Sequence, residues 1–284
     1  MGRRPLVGQR SRSGQSVERA DVPTGAAAAS PRLPWGADAG LTALLLVLAA
    51  LAWWVTVRLS MDMSQDMEGM DRMDGMGFAL GPFLVAWAAM MAAMMLPAVT
   101  PVARLYARAA RAGRVAPVGF FVSGYLAVWV GTGLPAALLW KTIQGPLTDG
   151  SSWALRVAGA TLVAAGLYQL SPLKRACLRH CRSPMGYFMR SGRQLHRPIS
   201  ALRAGTMHGV YCLGCCVGLM LVLLAAVAMQ PLWAVVIAAM VFVERNLPRG
   251  EMFSLVVAAL LVLLGGAALI EPALAAALTE GFSV

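Results

Sequence analysis

The chain has 284 residues, of which 58% are hydrophobic and only 13% charged, about half the charged fraction of a typical soluble domain. That balance excludes an ordinary soluble domain and points to an integral membrane protein, all-α, folded as a polytopic transmembrane helical bundle. The net charge of +11 does not point to nucleic acid, because the basic residues fall in loops between apolar runs.

In chain order, residues 1–36 come first, rich in Arg, Ser, Gly, Ala and Pro and without apolar periodicity. They are expected to form a disordered basic tail. Arg3 and Arg4 make a twin-arginine pair, but no apolar stretch follows soon enough for a cleaved signal peptide. Residues 37–284 then form the transmembrane helical domain. A span needs roughly 20 apolar residues, and the candidates are 40–59, 79–97, 117–140, 153–171, 207–229, 230–245 and 253–272. The sixth is short and follows directly on the fifth, so the expectation is six or seven spans.

Lys and Arg in the loops set the orientation. The tail, the loop after span two (Arg104, Arg108, Arg111, Arg114) and the strongly basic loop 172–206 share one side, read as cytoplasmic. The acidic segment 60–78 falls on the other side, and the N-terminus is cytoplasmic. The expected location is the bacterial inner (plasma) membrane.

Four groups of soft donors lie along this frame. The external loop 60–78 reads "MDMSQDMEGMDRMDGMG" and carries Met61, Met63, Met67, Met70, Met73 and Met76 among carboxylates. Thioethers suit Cu(I) and survive in an oxidising compartment, and the acids would concentrate cations. The bland alternative is a Met-rich linker. Span two contains "WAAMMAAMMLPAVTP". There Met90 and Met94 share one helical face, as do Met91 and Met95, and Pro97 and Pro101 are expected to end or kink the helix. Ordinary gap-filling methionine is the alternative. The next group, "SPLKRACLRHCRSP", holds Cys177, His180 and Cys181. This is no standard zinc spacing, and reduced cytoplasmic cysteines beside a phosphate-facing basic loop would explain it equally well.

The fourth group is the densest. "GTMHGVYCLGCCVGLM" places His208, Cys212, Cys215 and Cys216 at the start of span five. At 100° per residue, Cys212 falls about 40° from His208, Cys215 about 20° the other way and Cys216 about 80° away, one ligand face within about 100°. One cysteine would pack as a small hydrophobe beside Gly209, Gly214 and Gly218. Three with an aligned histidine fit that poorly, since polar groups inside a membrane are costly and usually functional. All the inner clusters are expected to converge at the cytoplasmic ends of spans two, four and five. Cys177 or Cys181, or else Met94 or Met95, would complete the ligand set.

These blocks, "WAAMMAAMMLPAVTP", "YQLSPLKRACLRHCRSP" and "GTMHGVYCLGCCVGLM" followed by Glu244, together resemble a bacterial family of predicted metal-binding integral membrane proteins, a domain of unknown function. The resemblance spans roughly residues 79–250. It implies that Cys177, His180, Cys181, His208, Cys212, Cys215 and Cys216 are metal ligands, and it makes Arg245 the basic residue after Glu244. On the residues themselves, Glu244 and Arg245 read most simply as an ion pair at the membrane edge.

The expected function is binding of Cu(I) and its inward transfer or uptake across the membrane. Metal would be gathered by the Met-rich loop, passed along Met90–Met95 and held by cysteine and histidine. There is no phosphate-binding loop, so ATP-driven pumping by this chain is not expected, and no enzyme is expected. His196 has no Ser or Cys partner motif. Two alternatives stand. Cys212 and Cys215 form a C-x-x-C, which suits a thiol–disulfide oxidoreductase. The Cys/His group would also suit zinc in a structural role. The expected partners are the lipid bilayer, the metal ion and a protein that donates or accepts it, not nucleic acid.

Overall fold

The computed structural model describes residues 35–70, 80–111, 116–148, 152–182, 196–225 and 230–271, which are helical apart from short turns. The helices are α1 (Trp35–Met70), α2 (Leu80–Arg111), α3 (Val118–Gly131), α4 (Gly133–Thr148), α5 (Ser152–Gln169), α6 (Pro172–Arg182), α7 (Pro198–Ala225), α8 (Pro231–Asn246) and α9 (Gly250–Ile270). The fold is all-α, with no strand among the described residues. Proline opens α6, α7 and α8, where its missing N–H costs nothing and its fixed φ suits a first turn.

Five segments are long and apolar enough to cross a bilayer: Ala39–Met61, Leu80–Arg111, Val118–Ile143, Pro198–Ala225 and Gly250–Ile270. The third runs through α3 and α4, which only Thr132 separates, in helical geometry (φ −70°, ψ −12°). Its hydroxyl donates to the Trp129 carbonyl at 2.6 Å. Helices α5 and α8, read from sequence as spans four and six, have 18 and 16 residues and are not among the five. Large apolar side chains stand exposed on the outer faces, including Leu44, Val47, Trp54, Leu255, Leu260 and Leu263. Water would not favour such a surface; a hydrocarbon surround would.

The helices differ from the sequence expectation in three places. Helix α1 continues to Met70, well into the stretch read as an external loop. Helix α2 does not end at Pro97 but runs through it and Pro101 to Arg111. Proline costs an interior helix its carbonyl partners, and Thr100 covers one neighbouring carbonyl by donating to Leu96 at 2.8 Å. Helix α7 begins at Pro198, so its cysteines are in mid-helix, about 21–27 Å along it at 1.5 Å per residue, not at the end of a span. The tail 1–34, residues 71–79, the side chains of 62–70 and residues 183–195 of the basic loop lie outside the described residues.

Around the site, α7 packs on α3, α5, α6 and α8. The α3–α7 crossing is backbone on backbone. A Cβ at Gly205 would lie 1.9 Å from the Phe121 carbonyl oxygen, and one at Gly124 would lie 2.1 Å from that of Leu202. Small residues at such a crossing let two helices touch where apolar burial gives little drive in lipid. The contact carries Tyr125 of α3 up to the cysteine face of α7.

Candidate metal centre

Regular helix geometry on α7 turns Cys212, Cys215 and Cys216 to one side. Their sulfurs lie within 4.8 Å of one another. The thiols of Cys215 and Cys216 both donate to the Cys212 carbonyl, at 3.1 and 2.9 Å, which draws the three together. All are buried, at 0%, 3% and 2% exposure. Helix α6 supplies a fourth sulfur: Cys181 is buried, and its Sγ is 3.9 Å from that of Cys215. All five cysteines are free thiols.

Cys177, one turn earlier on α6, is half-buried. Its sulfur would be 2.7 Å from a Cβ on Gly214, so the glycine makes the room in which α6 meets α7. Tyr168 of α5 donates its hydroxyl to the Gly214 carbonyl. Burial, and then the charge of Cys215, pushes the Cys177 thiol up. Contact with the Cys212 and Cys215 sulfurs, with burial added, pushes the Cys181 thiol far up.

A charged network borders the sulfurs. Arg245 of α8 is 5% exposed and donates Nη1 to the Cys212 sulfur at 2.8 Å and Nη2 to His208 Nε2 at 2.9 Å. It also reaches the Tyr125 hydroxyl at 3.4 Å, which in turn lies 3.2 Å from the same sulfur. Arginine can only donate, so His208 accepts at Nε2 and its proton sits on Nδ1. His208 therefore shares the cysteine face, as the spacing predicts, but spends its Nε2 lone pair on a guanidinium. Its ring lies against those of Phe121 and Tyr125, with centroids 5.8 Å from each.

The expected Glu244–Arg245 ion pair is not made. Successive residues on a helix point about 100° apart, and Glu244 turns to Lys174 of α6, with Nζ to Oε2 at 2.7 Å. Gln169 of α5 donates to its other oxygen at 3.2 Å. Lys174, read as part of the basic loop 172–206, is 1% exposed. Together with Arg182, which donates to the carbonyls of Leu247 and Pro248, this pair fastens α6 and hence Cys181 in place.

The other candidates lie on α6 and α2. His180 is exposed, stacks on Tyr211 at 4.6 Å and binds the Ala176 carbonyl through Nδ1 at 2.9 Å. Met90, Met91, Met94 and Met95 are buried in the same core as the cysteines. They sit on α2, which packs chiefly on α1, α3 and α8. Sequence reasoning missed Tyr125, Lys174 and the direction of Arg245; for Arg245 the signal was a charge at the end of an otherwise apolar helix.

Four thiol sulfurs from two helices, screened from water and backed by a guanidinium, define a helical protein built to hold a soft metal ion. The chain belongs to the PpoB2 family of copper chaperones, whose family model matches residues 84–268 and takes in the whole sulfur site and its charged border. No curated protein and no solved structure matches the chain.

Proposed function

We propose that the protein is a membrane-embedded chaperone that binds Cu(I) at Cys212, Cys215 and Cys216, with Cys181 as the ligand from a second helix, and passes it on to an acceptor. One observation carries this reading: three buried sulfurs within 4.8 Å of one another in a member of a copper chaperone family. Thiolate is the donor that Cu(I) favours, and low coordination satisfies it, so a cluster of this size suffices. Binding and transfer, not turnover, is the activity. The Met-rich segment 61–76 would collect metal outside, the cysteines would hold it within the bilayer, and the inner bacterial membrane is the setting.

The redox reading is less favoured, because Cys212 and Cys215 are one turn apart on a continuous helix, where disulfide geometry is hard to reach. Zinc would want a closed tetrahedral shell, which would take all four sulfurs, Cys212 with a guanidinium against it, because His208 is engaged by Arg245.

Anaerobic Cu(I) loading of the purified protein, against a Cys212→Ser/Cys215→Ser variant, tests the proposal. The wild type is expected to retain stoichiometric Cu(I) against a competing chelator, and the variant to lose the inner site. A variant that keeps full copper but loses a thiol–disulfide activity present in the wild type would replace this reading with the oxidoreductase.

A further inference from the structure

Arg245 is a buried cation with no carboxylate partner among the described residues. Its neighbour Glu244 is committed to Lys174 at 2.7 Å, and those two charges cancel. The guanidinium is left facing Cys212 Sγ at 2.8 Å, His208 Nε2 at 2.9 Å and the Tyr125 hydroxyl at 3.4 Å. An arginine does not shed its proton, and burying its charge uncompensated is costly. The partner able to repay that cost is the sulfur site, through a thiolate or an anionic metal–thiolate complex.

We infer that Arg245 is the specificity-determining residue of the metal site, admitting a monovalent soft cation and rejecting divalent ones. This rests on the proposed Cu(I) reading and names what sets its selectivity. Three effects act together. Fixed positive charge in a buried site repels a divalent ion about twice as strongly as a monovalent one. Two thiolates with one monovalent ion carry a single negative charge, which the guanidinium neutralises. Arg245 also withholds ligands: it engages a lone pair of Cys212 and the Nε2 lone pair of His208. A Cu(I) centre of low coordination loses little by this, whereas a Zn(II) or Cd(II) centre that needs four donors must either use the Cys212 sulfur with the guanidinium against it or a histidine whose lone pair is taken. Specificity by obstruction of the competitor is the expected form of such a device.

The test is a competition. Purified protein, with its five thiols reduced, is equilibrated anaerobically with Cu(I) and Cd(II) together, and the bound ratio is measured by mass spectrometry of the metals. Arg245→Ala is expected to lower the Cu(I):Cd(II) ratio at least about tenfold, with Arg245→Lys in between because it keeps the charge but not the two-pronged reach. An arginine that serves only to hold the fold would reduce both metals together and leave the ratio alone; that result, or an unchanged ratio with full binding, overturns the inference. If Arg245→Ala does not fold, Arg245→Lys decides: a lowered ratio supports the inference, and a wild-type ratio overturns it. A wild-type protein that takes up no Cu(I) would refute the functional reading itself, whereas failure of the ratio test alone leaves it standing.

Discussion

Replacing Glu244 with glutamine strands the ammonium of Lys174 in the core. The two side chains are 1% and 3% exposed and meet at 2.7 Å, so neither has water to fall back on. Breaking a buried pair from one side costs about 3–5 kcal/mol, because the remaining charge has no compensation. At roughly 2–4 °C per kcal/mol for a domain of this size, the loss in Tm should be roughly 6–20 °C. Helix α6 has 11 residues and can relieve the strain by lifting away, which would carry Cys181 off the site. Thermal unfolding in detergent should therefore be paired with maleimide labelling of Cys181, expected to speed up in Glu244→Gln. The double variant Lys174→Met/Glu244→Gln removes both charges and leaves an amide for Gln169 to meet. It should recover most of the stability, as paired removals of buried ions often do. If the double loses as much as the two singles added together, the residues are not coupled and the clamp on α6 is refuted.

Three further outcomes follow from the packing. Gly205→Ala would set a methyl 1.9 Å from the Phe121 carbonyl oxygen, whereas Gly266→Ala points into open space; the first should cost about 2 kcal/mol or more and the second within about 0.5 kcal/mol of nothing, read by thermal unfolding. Cys181→Ser should weaken Cu(I) retention against a chelator at least about tenfold, while His180→Ala, whose ring is exposed and stacked on Tyr211, should not change it. In the metal-free protein, alkylation of Cys177 should outpace that of buried Cys181, and its rate should rise with a midpoint above that of free cysteine, because burial and the charge of Cys215 hold the proton on; a midpoint at or below the free value would contradict this.

The cysteine face was legible because it depends only on helix periodicity. His208, Cys212, Cys215 and Cys216 lie on one regular helix, and nothing tertiary is needed to align them. The approach of Cys181 was legible too, since the loop charges put the end of span four and the start of span five on one side. The position of the site along α7 was not. The turns from Pro198 to Thr206 contain Arg203 and little apolar weight, so an apolar-run criterion starts the span at residue 207 and puts the cysteines at its end. Arg245 was misread because adjacency in sequence suggests a pair with Glu244, while adjacency on a helix forbids it. Tyr125 carries no motif; only the glycine-lined crossing of α3 and α7 brings it to Cys212. The methionines of α2 show the converse. Their spacing gives a shared face, but which helix that face meets is decided by packing.

X-ray absorption at the copper edge, on protein loaded anaerobically with Cu(I), tests the central claim most directly. The account predicts reduced copper with a first shell of sulfur alone and low coordination, abolished by Cys212→Ser/Cys215→Ser. A first shell dominated by nitrogen or oxygen, or a sulfur shell that survives the double substitution, would contradict it.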